Sequence, residues 1–403
     1  MAEKEKCQTC TSKDVCKIDE EQLLKPILSR IKHKIIVMSG KGGVGKSTVA
    51  TCLAIALAQK GYKVGLLDVD LHGPSIPHLL GIKDLLEITE QKILPKKLMP
   101  NLEVVSIECF MADEDKDRAV IWRGPLKHSA IRQFLADVEW GELNYLVIDS
   151  PPGTGDEPLS VAHLIPDAKA IIVATPQEVA LADIRKSISF CKHVQMDIVG
   201  LIENMSGFVC PHCGKEINIF KTGGGEKTAE IARIPFLGKL PVDLSVVEAG
   251  DEGKLLEYMQ NQDNPYIKAF SKIAANVVDQ LKQMEVKPVS LAEIRARKEY
   301  KVAIPLKDGR RADFLTECDE LAMVHVKDGG IKKIEKMVPA EKDIAVVPMA
   351  LVHLGADLVI TKRMKEKAKY VFYKNGVGVL LDVPELTPEE LVQKFISGEL
   401  GGE

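Results

Sequence analysis

The chain is 403 residues long, with 28% charged residues, a formal net charge of −4 and nine cysteines. That length exceeds one ordinary hydrophobic core and implies two or more domains. The charge balance offers no basic field for nucleic acid, and no apolar run nears the ~20 residues of a membrane-spanning helix.

The start, Met1-Ala2-Glu3-Lys4-Glu5-Lys6, is polar and shows no secretory pattern. The expectation is a cytoplasmic protein without membrane or nucleic-acid partners, in which disulfides are rare and cysteines are buried, catalytic or metal-binding. Residues 1–30 read as a tail carrying Cys7-x-x-Cys10 and Cys16. Three cysteines so close together in a polar segment read as metal thiolates lacking a fourth ligand. Unliganded thiols are the alternative.

A domain is expected over 31–284. The apolar run Ile35–Ser39 reads as a buried strand, followed by Gly40-Lys41-Gly42-Gly43-Val44-Gly45-Lys46-Ser47-Thr48. Val49, Leu53, Ala56 and Leu57 then recur at helical spacing. Strand, glycine loop and helix start form a phosphate cradle, because the glycines let backbone N–H groups curl around an anion at the positive end of the helix. Lys46 would reach the β and γ phosphates of ATP, and the Ser47 hydroxyl would hold Mg²⁺. Lys41 beside the first glycine resembles the deviant Walker A ATPases, the group of MinD, ParA and nitrogenase iron protein. That resemblance implies a dimer in which Lys41 reaches the partner's nucleotide, a role like that of an arginine finger.

Further strands are expected over Val64–Asp70, Leu102–Ile107, Tyr145–Asp149, Ala170–Ala174, Val199–Ile202 and Phe236–Leu240, alternating with helical patterns. Continuous apolar runs suit a doubly wound, mostly parallel sheet covered on both faces, with ligands at the carboxyl ends of its strands. Two strands end in carboxylates there. Asp149 reads as a Walker B ligand of Mg²⁺, Asp68 lies nearer the metal, and Asp70, on the same strand face, orients the attacking water.

Several motifs closely resemble the Mrp/ApbC family of iron–sulfur cluster carriers. They are Asp68-x-Asp70-x-His72-Gly73-Pro74-Ser75, Ile121-Trp122-Arg123-Gly124-Pro125, Asp149-Ser150-Pro151-Pro152-Gly153-Thr154-Gly155-Asp156, Thr175-Pro176-Gln177, Glu203-Asn204-Met205-Ser206 and Glu248-Ala249-Gly250-Asp251. The resemblance runs from about Ile31 to Leu281. It implies ATP hydrolysis, delivery of clusters to apo iron–sulfur proteins, and adenine contacts from Asn204 and from Pro241-Val242-Asp243. From residue chemistry alone, Asn204 reads equally well as a turn residue.

Cys210-Pro211-His212-Cys213-Gly214 is a knuckle with two thiolates on a tight turn. It is half of a four-thiolate site, and a two-fold homodimer would bring the knuckle against its copy to complete it. Spacing leaves Zn²⁺ and an iron–sulfur cluster open. The family resemblance implies a bridging, labile 4Fe-4S cluster. Cys52, Cys109 and Cys191 read as packing residues.

Residues 285–299 read as a polar linker in which Ser290-x-x-Glu293 starts a short helix. A smaller α/β domain over 300–403 follows. Its expected strands are Lys301–Pro305, Glu320–Val326, Ile331–Val338, Leu358–Thr361 and Val377–Leu381, with Asp328-Gly329-Gly330 as a hairpin turn and helices near 349–354, 365–374 and 387–397. Leu354-Gly355-Ala356-Asp357-Leu358-Val359-Ile360-Thr361 and Leu386-Thr387-Pro388-Glu389-Glu390 resemble the NifX/NifB-type dinitrogenase cofactor domain, which implies a ribonuclease-H-like fold and metal–sulfur binding. The chain departs from that family at Ala312-Asp313-Phe314-Leu315, where a His-Phe-Gly pattern is usual, and at Lys362-Arg363-Met364-Lys365, where glycines are usual. Cys318, His325 and His353 are the candidate ligands, with core or surface roles as the alternative.

The competing functional reading is a ParA- or MinD-like positioning ATPase with structural zinc. Such a MinD would carry a basic amphipathic C-terminal helix, and such a ParA a basic patch. The chain instead ends Glu399-Leu400-Gly401-Gly402-Glu403.

Overall fold

A computed structural model describes residues 23–71, 73–83, 86–87, 89, 92–110, 124–209, 213, 215–217, 222–315, 317–339 and 346–401. Cys7, Cys10, Cys16 and Cys210 lie outside the described residues. The chain divides into two compact units, one ending at Gln283 and the other beginning at Met284.

The first unit holds an eight-stranded sheet. Its strands are β1 (Ile31–Met38), β2 (Val64–Asp68), β3 (Lys96–Met99), β4 (Leu102–Ser106), β5 (Leu143–Asp149), β6 (Lys169–Ala174), β7 (Asp197–Glu203) and β10 (Phe236–Lys239), in the order β10-β7-β6-β1-β5-β2-β4-β3. All neighbours are parallel except β3 against β4. Ile35, Ile36, Val37 and Met38 are fully buried because helices cover both faces of the central strand. The helix Lys46–Gln59 is buried on nearly every side, from Val49 through Ala58, so its apolar stripe is wider than the four residues read from spacing.

The structure differs from expectation at three places in this unit. β3 has no apolar run of its own, since Lys96-Lys97-Leu98-Met99 forms a strand only by pairing at the margin of the sheet. Residues 23–28, expected within the tail, are helical and bury Leu24 and Leu28. A two-residue hairpin, β8 (Phe208–Val209) against β9 (Glu216–Ile217), frames the cysteine knuckle.

In the second unit β11 (Glu299–Lys307), β13 (Glu320–Lys327), β14 (Gly330–Met337), β15 (Leu358–Ile360) and β16 (Gly378–Leu380) follow the order β14-β13-β11-β15-β16, and the short β12 (Arg310–Arg311) pairs with β11. β13 pairs antiparallel with β11 and β14 antiparallel with β13, while β15 pairs parallel with β11 and β16 parallel with β15, giving a separate mixed sheet. Asp328 and Gly329 both have positive φ, 49° and 71°, as the tight hairpin turn requires. Alternate residues of β11 face two cores, Val302, Ile304 and Leu306 to one side and Ala303 to the other. The helix Pro388–Ser397 starts with Thr387 and Glu390 in a reciprocal capping box. Part of the expected linker is structural: the helix Leu291–Arg295 buries Ile294 completely against Tyr300 and Phe395, with Val289 and Leu291 packed alongside.

Candidate functional site

The phosphate loop leaves the carboxyl end of β1 at the centre of the sheet, where the strand order reverses. Ser39 Oγ donates to the Lys41 carbonyl at 2.9 Å. A Cβ at Gly40 would lie 2.4 Å from the Asp183 carbonyl, so only glycine lets the loop pass the helix Glu178–His193. Gly43 and Gly45 take φ of 76° and 78°, while Gly42 and Gly43 are exposed on the loop. Gly45 caps the helix Lys46–Gln59 without any side chain, which leaves first-turn N–H donors for an anion.

Four side chains converge behind this loop. Lys46 Nζ donates to Asp149 Oδ1 at 2.5 Å and to Ser47 Oγ at 3.1 Å. Asp149 and Asp68 are register partners on adjacent parallel strands, and both are fully buried. Asp68 accepts from the Asp70 N–H at 3.0 Å, from Ser106 Oγ at 3.3 Å and from the Ile76 N–H at 3.4 Å. Burial, and then the charge of Asp149, push the Asp68 carboxyl up to about 8. Burial also raises Asp149, against the pull of the Lys46 ammonium. Asp149 Oδ2 is buried with no hydrogen-bond partner. An unsatisfied carboxylate oxygen beside a second buried carboxylate and a serine hydroxyl is a hard-oxygen donor set that fits Mg²⁺.

Two site residues stand differently from expectation. β2 ends at Asp68: the Val69 N–H completes the ladder on the Asp149 carbonyl, and beyond it the Asp70 N–H turns back onto the Asp68 carboxylate and the Leu71 N–H onto the Val69 carbonyl. Asp70 therefore lies on a turn, with its carboxylate accepting the Gly73 N–H at 3.3 Å, and strand alternation does not align it with Asp68. Asp243 caps the helix Leu244–Asp251: its oxygens accept from the Ser245 N–H, Tyr258 OH and Asn264 Nδ2 at 2.8, 2.9 and 2.8 Å. Pro241 and Val242 are half-buried beside it, and the Val242 N–H bonds to the Gly207 carbonyl at 2.7 Å. Asn204 donates from Nδ2 to the Val44 carbonyl at 2.9 Å, so its amide grips the phosphate loop. Lys41 and Thr48 are half-buried.

Cys213 is exposed on the turn between β8 and β9. Sequence reasoning missed Glu203, a fully buried carboxylate that ends β7 beneath this hairpin. The signal for it was available: an acidic residue at a strand end, followed downstream by Gly223-Gly224-Gly225 at a helix start.

The family description "NUBPL iron-transfer P-loop NTPase" (ParA) matches residues 30–278. The chain belongs to this family. The iron–sulfur cluster carrier protein of Methanocaldococcus jannaschii is 46% identical over 292 residues, 68% of this chain and 96% of that one. The cytosolic Fe-S cluster assembly factor NUBP2 homolog of Dictyostelium discoideum is 49% identical over 252 residues, 60% of this chain and 94% of that one. Among solved structures, the nucleotide-binding protein of Archaeoglobus fulgidus in complex with ADP is similar, with a TM-score of 0.54 and 38% identity over 62% of this chain and 96% of that one.

Residues 298–398 match the dinitrogenase iron-molybdenum cofactor family, so this P-loop NTPase carries a cofactor-type domain as its second unit. Its candidate ligands are not brought together: Cys318 is fully buried with its thiol on the Leu315 carbonyl, His325 lies 3.7 Å from Glu335, and His353 is exposed in the last turn of a helix. Where the His-Phe-Gly pattern is usual, Asp313 is held between Arg311 and Lys362 at 3.0 and 3.2 Å. Among the described residues no helix is long and apolar enough to cross a membrane. Cys52, Cys109 and Cys191 are buried.

Proposed function

We propose that this chain is an ATP-hydrolysing carrier that holds an iron–sulfur cluster as cargo and delivers it to apo iron–sulfur proteins. The observation that carries the reading is a shared framework: the loop at Pro241-Val242-Asp243 bonds to the root of the cysteine hairpin, and Asn204 bonds to the phosphate loop. In this reading nucleotide and cargo sites hang from one end of one sheet. The names of the relatives support the same cargo.

In this reading the loop from Gly40 to Thr48 cradles the phosphates, and Lys46 leaves Asp149 to meet the β and γ oxygens. Ser47, Asp68 and Asp149 would hold Mg²⁺, which when bound would supply positive charge against the phosphates. Asp70 orients water, and Asn204 with the 241–243 loop borders the base. Two copies of the chain form a homodimer. Lys41 then acts across the interface, and Cys210 with Cys213 from each copy supply four thiolates to a 4Fe-4S cluster. Because both sites sit in that interface, hydrolysis changes subunit geometry and with it the hold on the cargo. Cys7, Cys10 and Cys16 are candidate ligands of a further cluster, and the setting is cytoplasmic.

Anaerobic purification with iron, sulfide and zinc analysis, repeated on Cys210→Ser and Cys213→Ser, tests the reading. Iron and sulfide lost in both variants supports it. Stoichiometric zinc without iron would replace it with the regulatory ATPase.

A further inference from the structure

The chain leaves the sheet after β7 and returns at the helix Gly224–Ala232, and the excursion between carries Cys210 and Cys213. One carboxylate closes the neck of that excursion. Glu203 Oε1 accepts both the Ser206 hydroxyl, at 2.5 Å on the outgoing segment, and the Gly223 N–H, at 2.9 Å on the returning one. Its Oε2 accepts the Gly225 N–H at 2.5 Å. Glu203 is fully buried, so these bonds are made without competition from water. A Cβ on Gly225 would lie 2.9 Å from Oε2, so the glycine run is what lets the helix start approach this close.

The residue next in sequence holds the other site. Asn204 donates to the Val44 carbonyl inside the phosphate loop, and a Cβ on Gly45 would lie 2.4 Å from that same Nδ2. The Asn204 N–H is fixed on the Ala174 carbonyl at 2.7 Å, so the pair has little freedom to slip along the sheet. A shift of the phosphate loop must either break the Asn204 bond or move the backbone that carries Glu203. The carboxylate, in turn, cannot move without opening or shearing the neck.

We propose that Glu203 is a positioning residue that transmits nucleotide occupancy of the phosphate loop to the cysteine hairpin, through its bond neighbour Asn204. The inference rests on reading that hairpin as the cargo site, and adds an intramolecular route to the change in subunit geometry. It requires no metal in the hairpin and no second copy of the chain, so it is testable on monomeric, cluster-free protein.

The test is the rate of iodoacetamide alkylation at Cys213, read by peptide mass spectrometry, with and without ADP and Mg²⁺. The protein concentration is kept where light scattering gives a monomer in both states, and ADP affinity is measured alongside. In the unaltered protein ADP should change the rate by about five-fold, at the low end of ordinary coupling between sites. Glu203→Gln puts an amide donor against backbone N–H groups and should flatten that response while ADP still binds. Ser206→Ala removes one strand of the neck, leaves the carboxylate on the helix, and should at least halve the response. It also serves as the deciding variant if Glu203→Gln does not fold. An undiminished response in either folded variant, or no response in the unaltered protein, overturns the proposal. Neither result touches the iron and zinc analysis, which judges the cargo reading separately.

Discussion

Asp68 and Asp149 face each other from adjacent parallel strands, both wholly buried, and among the described residues only Asp149 has a cation in contact, the Lys46 ammonium at 2.5 Å. In metal-free protein this is an uncomfortable pair. Its carboxyl Asp68 is pushed up to about 8, whereas an unfolded aspartate titrates near ~4. Between those values the native state holds a proton that the unfolded chain has released, so stability falls as pH rises. In chelator, the melting temperature should drop from pH 6 to pH 8 by more than about 3 °C, roughly 1 kcal/mol for a unit of this size. Asp68→Asn should flatten that slope, and Mg²⁺ with ADP should oppose it. Calorimetry showing equal melting at both pH values would contradict the pairing.

Lys46→Met should stop ATP turnover, a loss of at least about 100-fold, because the phosphates lose their one buried ammonium. The same change leaves Asp149 buried without its cation, a cost of about 3 kcal/mol if the carboxylate stays ionised. Both effects are read in one preparation, by phosphate release and by chemical unfolding. Full turnover in this variant would remove the phosphate loop from the site.

Asn204→Ala deletes the bond to the Val44 carbonyl, worth about 1 kcal/mol, and should weaken ADP binding some five- to ten-fold. Gly45→Ala should be worse. It forces a side chain into φ 78° and a Cβ within 2.4 Å of the Asn204 amide. Titration calorimetry that ranks the two in the opposite order would disprove the grip described here.

Thiol chemistry separates the cysteines. Burial pushes the Cys191 thiol up to about 12 and raises Cys52 as well. Neither forms appreciable thiolate below pH 9, so neither should alkylate in the folded protein as pH rises from 7 to 9. Cys213 is exposed and should react throughout. Peptide mapping of the native protein tests this directly.

Ile294 lies before the first strand of the second unit, yet is fully enclosed by it. Ile294→Ala should cost that unit about 2–4 kcal/mol. A fragment starting at 299 should unfold at lower denaturant than one starting at 284, by circular dichroism.

Much of this was readable from residue order. Continuous apolar runs gave away every central strand, and the glycine loop with Lys41 and Lys46 announced itself by spacing alone. What escaped depends on contacts between distant segments. β3 is made of Lys96-Lys97-Leu98-Met99 and becomes a strand only because β4 offers a margin. Asp70 reads as a strand residue until its N–H turns back onto the Asp68 carboxylate and the Leu71 N–H onto the Val69 carbonyl. That Asp243 caps a helix and accepts from Tyr258 and Asn264 depends on groups 15 and 21 residues away. Glu203 could not be found by local propensity, since its three partners are backbone and hydroxyl groups up to 22 residues away.

The margins of the two sheets carry their own message. β3 ends one sheet with Lys96 and Lys97, and β14 ends the other with Lys332, Lys333 and Lys336. A neighbouring copy that tried to add its matching strand there would set ammonium groups against one another along the new ladder. Copies of this chain can thus crowd in solution without zipping into fibres at these two rims. A strand of another molecule that paired along those rims would need acidic side chains opposite these lysines.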